Sequence, residues 1–144
     1  MQLVKHILAV KGKDVWSIAP DALVYDALQL MADKQVGALI VLKNEEVVGI
    51  FSERDYARKV ALKGRTAKDT TVKEIMSSSV IYTTPEQSAE SCMALMTEKH
   101  IRHLPVMVDD QITGVISIGD LVKAIIRDQE TLIEHLEDYI LQRR

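Results

Sequence analysis

Gly49-Ile50-Phe51-Ser52-Glu53-Arg54-Asp55 and, 65 residues further on, Gly114-Val115-Ile116-Ser117-Ile118-Gly119-Asp120 share one pattern, Gly-h-h-Ser-x-x-Asp with h apolar. Each runs from a β-prone stretch into a segment with helical spacing of its apolar residues, and so reads as a strand-to-helix junction. The Ser can cap the helix and leave its first backbone N–H groups open, while the Asp projects from the first turn. Ser-x-x-Asp is also close to the capping box, so a purely structural reading stands beside a functional one. In the functional reading, a carboxylate at such an edge accepts hydrogen bonds from the two hydroxyls of a ribose, and the helix start beside it favours anions. Two copies, each with Gly at the same offset and a short strand-edge loop beside it, favour the ligand.

Outward from these junctions the same spacing aligns Pro20 with Pro85, Leu30-Met31 with Leu95-Met96, Lys34 with Lys99, Leu39 with Leu104 and Val41 with Val106. A colinear series of this kind is an internal duplication. Upstream, Val4-Lys5-His6-Ile7-Leu8 resembles Val72-Lys73-Glu74-Ile75-Met76 at a spacing of 68, so the first copy carries three extra residues. They place Lys11-Gly12-Lys13 in or near an enlarged loop.

Each copy reads β-α-β-β-α, which makes the fold class mixed α/β (α+β). Val15–Ile18 and Val80–Thr83 are first strands, each ended by a proline that holds its predecessor extended. Val24, Ala27, Leu28 and Met31, and their counterparts Ala89, Cys92, Met93 and Met96, make the buried stripes of the first helices. Gly37–Leu42 with Val47–Ser52, and Leu104–Val108 with Ile112–Ser117, are paired strands around short polar turns. Second helices run from Arg54 to about Leu62 and from Gly119 to about Arg127. The expected division is repeat 1 over residues 3–64, a polar linker over 65–71, repeat 2 over 72–128 and an amphipathic helix over 129–144. Leu132, Ile133, Leu136, Tyr139 and Ile140 form the stripe of that last helix, which packs on its own domain or on a second copy.

With 144 residues, 47% hydrophobic and 27% charged, the chain has the balance of a globular protein of one domain or two small modules. A formal net charge of −3 supplies no cationic excess for nucleic-acid backbones, and one Trp, four Tyr and one Phe make no base-stacking platform. The single cysteine, Cys92, permits neither an intrachain disulfide nor a thiolate zinc cluster, and its place on a helical stripe reads as core. His100-x-x-His103 has metal spacing but lacks further clustered ligands, so no metal is expected. Methionines Met31, Met93 and Met96 read as core filling. The charged start lacks a signal h-region, and apolar runs are too short to span a bilayer; a soluble cytoplasmic protein is expected. Walker, H-E-x-x-H and G-x-S-x-G segments are missing from the sequence, which leaves catalysis without an owner.

Taken with Ile101-Arg102-His103-Leu104-Pro105-Val106 and Val72–Met76, the two junctions resemble a tandem pair of cystathionine-β-synthase-type (CBS) domains, the Bateman module. The resemblance covers residues 3 to 128. Phe51–Lys59 is similar to a group of small bacterial proteins consisting of little beyond one such pair. It implies two copies packed about a pseudo-twofold axis, with two clefts for adenine nucleotides, in modules that commonly pair into disc-like homodimers. Carried over by position, Asp55 and Asp120 would hold ribose hydroxyls with Ser52 and Ser117 nearby. Ser17, Ile18, Tyr82 and Thr83 on the first strands, with Ala38 and His103 on the second, would line the adenine and phosphate region. Arg54, Arg102 and His103 would neutralise phosphate. Tyr82 departs from the Thr or Ser usual there, which implies a narrower or differently binding second cleft.

The implied function is that of a stand-alone, non-catalytic sensor in signal transduction, whose ligand changes the arrangement of repeats or dimer and thereby an unidentified partner protein. AMP is the first candidate ligand; ATP, ADP, NAD and S-adenosylmethionine are the others. A small nucleotide-hydrolysing enzyme using Asp55 or Asp120 and a ligand-independent interaction scaffold are the alternatives. The copies differ at Glu53-Arg54 against Ile118-Gly119 and at Gly37-Ala38 against Arg102-His103, so unequal clefts are expected. If these basic groups converge with Lys11 or Lys13 nearby, one cleft collects most positive charge; the cleft holding Asp55 is favoured as the stronger.

Overall fold

The computed structural model describes residues 1–141. Two compact units share the chain: one is Asp14–Ile81, and the other joins Met1–Lys13 to the chain from Tyr82 onward. The family of elements repeats in both, but the repeat boundaries in sequence are not the boundaries in space.

In the Asp14–Ile81 unit, β1 (Ser17–Ile18) pairs in parallel with β2 (Ala38–Lys43), and β2 pairs antiparallel with β3 (Glu46–Ser52). The β2–β3 turn places Asn44 and Glu45 at φ 52° and 66°, the left-handed pair that a two-residue hairpin with native twist needs. Helix α2 (Val24–Lys34) buries Val24, Ala27 and Met31, the expected stripe, against Leu39, Val41 and Phe51 of the sheet. Helix α3 (Glu53–Lys59) follows β3 without a break and is shorter than expected, giving way to a 3-10 turn at Ala61–Lys63.

Residues 65–71, expected as a linker, are built into this unit. Thr70 is buried, its carbonyl accepts from Val24 N–H at 2.8 Å, and its hydroxyl donates to the Thr66 carbonyl at 2.7 Å. Helix α4 (Val72–Ile75) then hydrogen-bonds back to Ala22 and Pro20 carbonyls, and Ser77 bridges Ile50 of β3.

In the other unit, α1 (Val4–Lys11) takes the place that α4 holds in the first, with Val4 and Lys5 N–H groups on the Gln87 and Pro85 carbonyls. Helix α5 (Ala89–Lys99) buries Ala89, Cys92 and Met96, and β4 (His103–Val108) pairs antiparallel with β5 (Gln111–Ser117) around Asp109 and Asp110, again at positive φ. The expected strand at Val80–Thr83 shrinks to a single bridge, Thr83 to Val106. Pro105 explains this: it stands where the first unit has Ile40, whose N–H bonds the Trp16 carbonyl at 3.1 Å, and proline has no N–H to give.

Helix α6 runs unbroken over Ile118–Leu141, so the second helix of repeat 2 and the expected C-terminal helix are one. No Gly or Pro falls between Leu121 and Leu141 to stop it. The last three residues of the expected 129–144 helix lie outside the described residues. Among the described residues no helix is long and apolar enough to cross a membrane.

The glycines that open both junctions have a packing reason. A Cβ on Gly49 would lie 2.6 Å from Met76 Sδ and 3.0 Å from the Ser77 carbonyl oxygen; on Gly114 it would lie 2.8 Å from Leu8 Cδ2. Leu8 and Met76 are the equivalent residues of the two upstream segments, so each junction receives the segment that precedes the other copy.

Candidate functional site

Both junctions are capping boxes in the structure. Asp55 N–H donates to Ser52 Oγ at 3.3 Å, and Ser52 N–H returns to Asp55 Oδ2 at 3.0 Å. Ser117 and Asp120 repeat this at 3.2 and 2.8 Å. Opposite each Ser, the register of the hairpin brings up one second-strand residue: Ala38 faces Ser52, and His103 faces Ser117. The N–H of the residue after each Ser bonds the carbonyl before that partner, Glu53 to Gly37 and Ile118 to Arg102, which closes the strand ends onto the helix start. Ala38, Ser52 and Asp55 are thus neighbours in one unit, and His103, Ser117 and Asp120 in the other.

The carboxylates have different company. Asp55 is buried, and its Oδ1 lies 3.1 Å from Lys59 Nζ, one helical turn on, and 3.4 Å from Ser77 Oγ. Asp120 Oδ2 takes Lys11 Nζ at 2.6 Å, and the same ammonium bonds the Val115 carbonyl at 2.6 Å. Burial pushes the Asp120 carboxyl up, but the bond and charge of Lys11 and the Ser117 N–H outweigh it and hold the group below its ordinary value. His103 is lowered from its ordinary value, first by burial and then by the charges of Lys11 and Arg102, with Asp120 opposing. Burial thus disfavours the charged imidazole beside the carboxylate that Lys11 neutralises.

The first-strand residues separate by strand alternation. Ile18 packs against the core, and Thr83 is buried with its hydroxyl 3.3 Å from Cys92 Sγ, whereas Ser17 and Tyr82 point to the surface. Burial raises the Cys92 thiol, and the Thr83 contact only partly offsets this, as befits a core thiol. Tyr82, Thr83 and Cys92 border a small cavity of about 150 Å³ with Gln87 and Ser91. Arg54 lies half-buried on the first turn of α3, Arg102 is exposed ahead of β4, and Lys13 is exposed beyond α1. A larger hollow of about 660 Å³, lined by Pro20, Lys43, Val48, Lys73 and Met76, lies toward the β2–β3 turn and includes none of the expected site residues. Among the described residues no three His, Cys, Asp or Glu gather as a metal site.

Lys59 and Ser77 were not expected at Asp55. The Asp55-x-x-x-Lys59 spacing is a readable helical pair; Ser77 has no such signal, because its place depends on the crossed packing of the upstream segments. Lys11 belongs in sequence to the first copy but serves the second.

A family model, the CBS domain, matches residues 4–62 and again 72–127. The chain belongs to the CBS family. Its tandem CBS pair is 38% identical over 147 residues to CBS domain-containing protein CBSX3, mitochondrial, of Arabidopsis thaliana, covering 95% of this chain and 71% of that protein. Among solved structures, a protein with CBS domains from Burkholderia ambifaria MC40-6 is 48% identical with TM-score 0.85, covering 89% of this chain and 96% of that one. The CBS domain pair of protein MJ0100, in complex with 5′-methylthioadenosine and S-adenosyl-L-methionine, shares the fold at 21% identity and TM-score 0.78, covering 89% and 98%.

Proposed function

We propose that this CBS pair is a regulatory sensor of adenine nucleotides that works without catalysis, with Asp55 and Asp120 as the ribose-binding carboxylates. The observation that carries the reading is the repeated junction: a carboxylate fixed by its own capping box beside a helix start, with a second-strand residue opposite. Such a carboxylate is pre-oriented, and its remaining lone pairs accept from a diol at little entropic cost. The adenosyl compounds held by the MJ0100 pair support the ligand class. Ser52 and Ser117 stand beside the diol; Ser17, Ala38, Tyr82 and His103 border the base and phosphate, with Ile18 and Thr83, whose side chains turn to the core, limited to backbone contacts, and Arg54 and Arg102 supply positive charge. AMP is the ligand of choice, with ATP, ADP and NAD next, and the working form is a homodimer that passes the change to a partner protein.

Adenosine phosphates should raise the melting temperature and guanosine phosphates should not, since backbone groups matched to the adenine edge are mispaired by guanine. At 100 times Kd the gain is about 2.7 kcal/mol. Mass spectrometry of small molecules released from the denatured protein identifies the ligand. Equal shifts with both purines remove the base-specific part, and calorimetric silence toward nucleotides assigns the fold to a ligand-independent scaffold.

A further inference from the structure

The outer face of α6 carries apolar residues at a spacing its own unit does not use. Leu121 and Ala124 are the buried residues of this helix, whereas Val122, Ile126, Ile133, Leu136 and Ile140 are exposed, at 42%, 47%, 55%, 52% and 73%. With Gln129 they fall at alternating steps of four and three residues, the a and d positions of a heptad. Ile126, Ile133 and Ile140 hold a; Val122, Gln129 and Leu136 hold d. One flank of this a/d seam is apolar as well, and Leu132 and Tyr139 on it are 57% and 84% exposed, so the whole stripe lies uncovered by its own unit and offers a surface for another helix.

We infer that this seam binds the same helix of a second copy, antiparallel, with Ile126 against Leu136, Ile133 against Gln129 and Ile140 against Val122 of that copy. This register pairs every apolar seam residue from Val122 to Ile140, over roughly 28 Å of helix. The flanks choose the direction. One flank is Ile125, Leu132 and Tyr139, and the other is Lys123, Glu130 and Glu137. Antiparallel packing sets the apolar flanks together, with Leu132 meeting Leu132 and Ile125 meeting Tyr139, and sets Lys123 against Glu137 twice. Parallel packing would lay Glu130 and Glu137 along Ile125 and Leu132 and leave both Lys123 side chains without an acid opposite. Antiparallel helices also oppose their macrodipoles favourably. The single pair of like charges, Glu130 with Glu130, sits at the middle of the wet flank. The two Gln129 side chains, next to one another across the centre, give the seam a polar register mark.

The inference rests on the homodimer reading and assigns it a surface. The test is oxidation of full-length chains carrying Ile126→Cys or Leu136→Cys, both at exposed positions; native Cys92 is buried. An equimolar mixture should give a disulfide-linked dimer, and neither variant alone should. Cross-linking of each variant with itself would establish parallel pairing and overturn the inference. Light scattering accompanies it: the native chain should be a dimer at micromolar concentration and Ile133→Glu a monomer with an unchanged circular-dichroism spectrum. A native dimer that survives Ile133→Glu and yields no cross-link overturns the α6 surface and keeps the homodimer; a native monomer overturns both.

Discussion

Lys11 Nζ lies 2.6 Å from Asp120 Oδ2, so a residue at the end of the first helix neutralises a carboxylate at the start of the last. A ribose diol reaching Asp120 meets an oxygen that already accepts a charge-assisted bond, while a phosphate nearby would gain from the same ammonium.

Lys11→Met should therefore split ligands by charge. On an Asp55→Ala background that isolates Asp120, adenosine should bind more tightly than to the Lys11 protein, and ATP more weakly, each by about 1.5-fold to fivefold, as is usual for an exposed pair. Calorimetry with both ligands reads this; changes in the same direction would mean that Lys11 only holds α1 in place.

The same substitution should move His103. Its value is lowered first by burial and then by Lys11, so Lys11→Met should raise it. A histidine lowered in the folded state stays neutral while the unfolded chain takes up a proton. Stability conferred by the neutral form is thus full above the ordinary value of 6.5 and falls as pH drops from there toward the lowered value. His103→Phe should flatten that slope. Imidazole NMR titration and urea melts between pH 5 and about 7.5 check the two parts.

Glu74 should carry acid sensitivity. The Thr71 N–H first, then the Thr71 hydroxyl and Arg65 at 2.6 Å, bring its carboxyl from 4.5 to about 2. Its contribution is present above 4.5 and is lost as pH falls through that window toward 2. Denaturant midpoints of Glu74→Gln should differ from those of the native chain at neutral pH and converge with them on acidification.

The two junction glycines should respond unequally to alanine. At Gly49 the new methyl meets Met76 at 2.6 Å and the Ser77 carbonyl at 3.0 Å, and the latter is backbone. At Gly114 it meets only the tip of Leu8. Gly49→Ala should cost about 1–3 kcal/mol, and Gly114→Ala less, with part of the latter loss recovered in Leu8→Val. Equal losses in urea melts would remove the backbone argument.

These glycines also show where the sequence stops being readable. Their shared offset was visible and favours a ligand reading, but their reason lies in Leu8 and Met76, which come from the segment before the other copy. Periodicity found α2, α5 and the hairpins because each records its own burial locally: Val24, Ala27 and Met31 recur at helical spacing, and Asn44-Glu45 marks a turn. The crossed assignment of α1 and α4 is a long-range choice between two similar segments, and nothing in Val4–Leu8 or Val72–Met76 announces it. The same holds for the site. Ser52 with Asp55 and Ser117 with Asp120 were legible, as was the strand residue opposite each, because spacing and register set them. Lys11 on Asp120 and Ser77 on Asp55 follow from the crossing. Pro105 could have warned that the strand before Pro85 would be short, since it removes a ladder donor.

The last expectation is that the two carboxylates are unequal as ligand sites, with Asp55 the stronger. Lys11 approaches Asp120 Oδ2 at 2.6 Å, closer than any side-chain partner of Asp55, so a diol that takes Oδ2 displaces the shorter, charge-assisted bond. Lys59, held by the Ile75 carbonyl at 3.1 Å, stands farther from Asp55, at 3.1 Å, and on Oδ1 with Ser77, while Oδ2 is left to the Ser52 groups that orient it. Arg54 on the first turn of α3 offers a guanidinium for phosphate where the other junction has Gly119. Against this, Lys11 and Arg102 lie on the Asp120 side and would favour phosphate, while burial disfavours the charged form of His103. Titration calorimetry with AMP decides it: Asp55→Ala should remove the tighter site and Asp120→Ala the weaker. Because both side chains also cap helices, each substitution should cost about 1 kcal/mol of stability whatever it does to binding, so Asp55→Asn and Asp120→Asn, which keep an accepting oxygen for the cap, are measured beside them. Equal losses of affinity would reject the inequality, and no loss from any of the four would reject the ribose role of both residues.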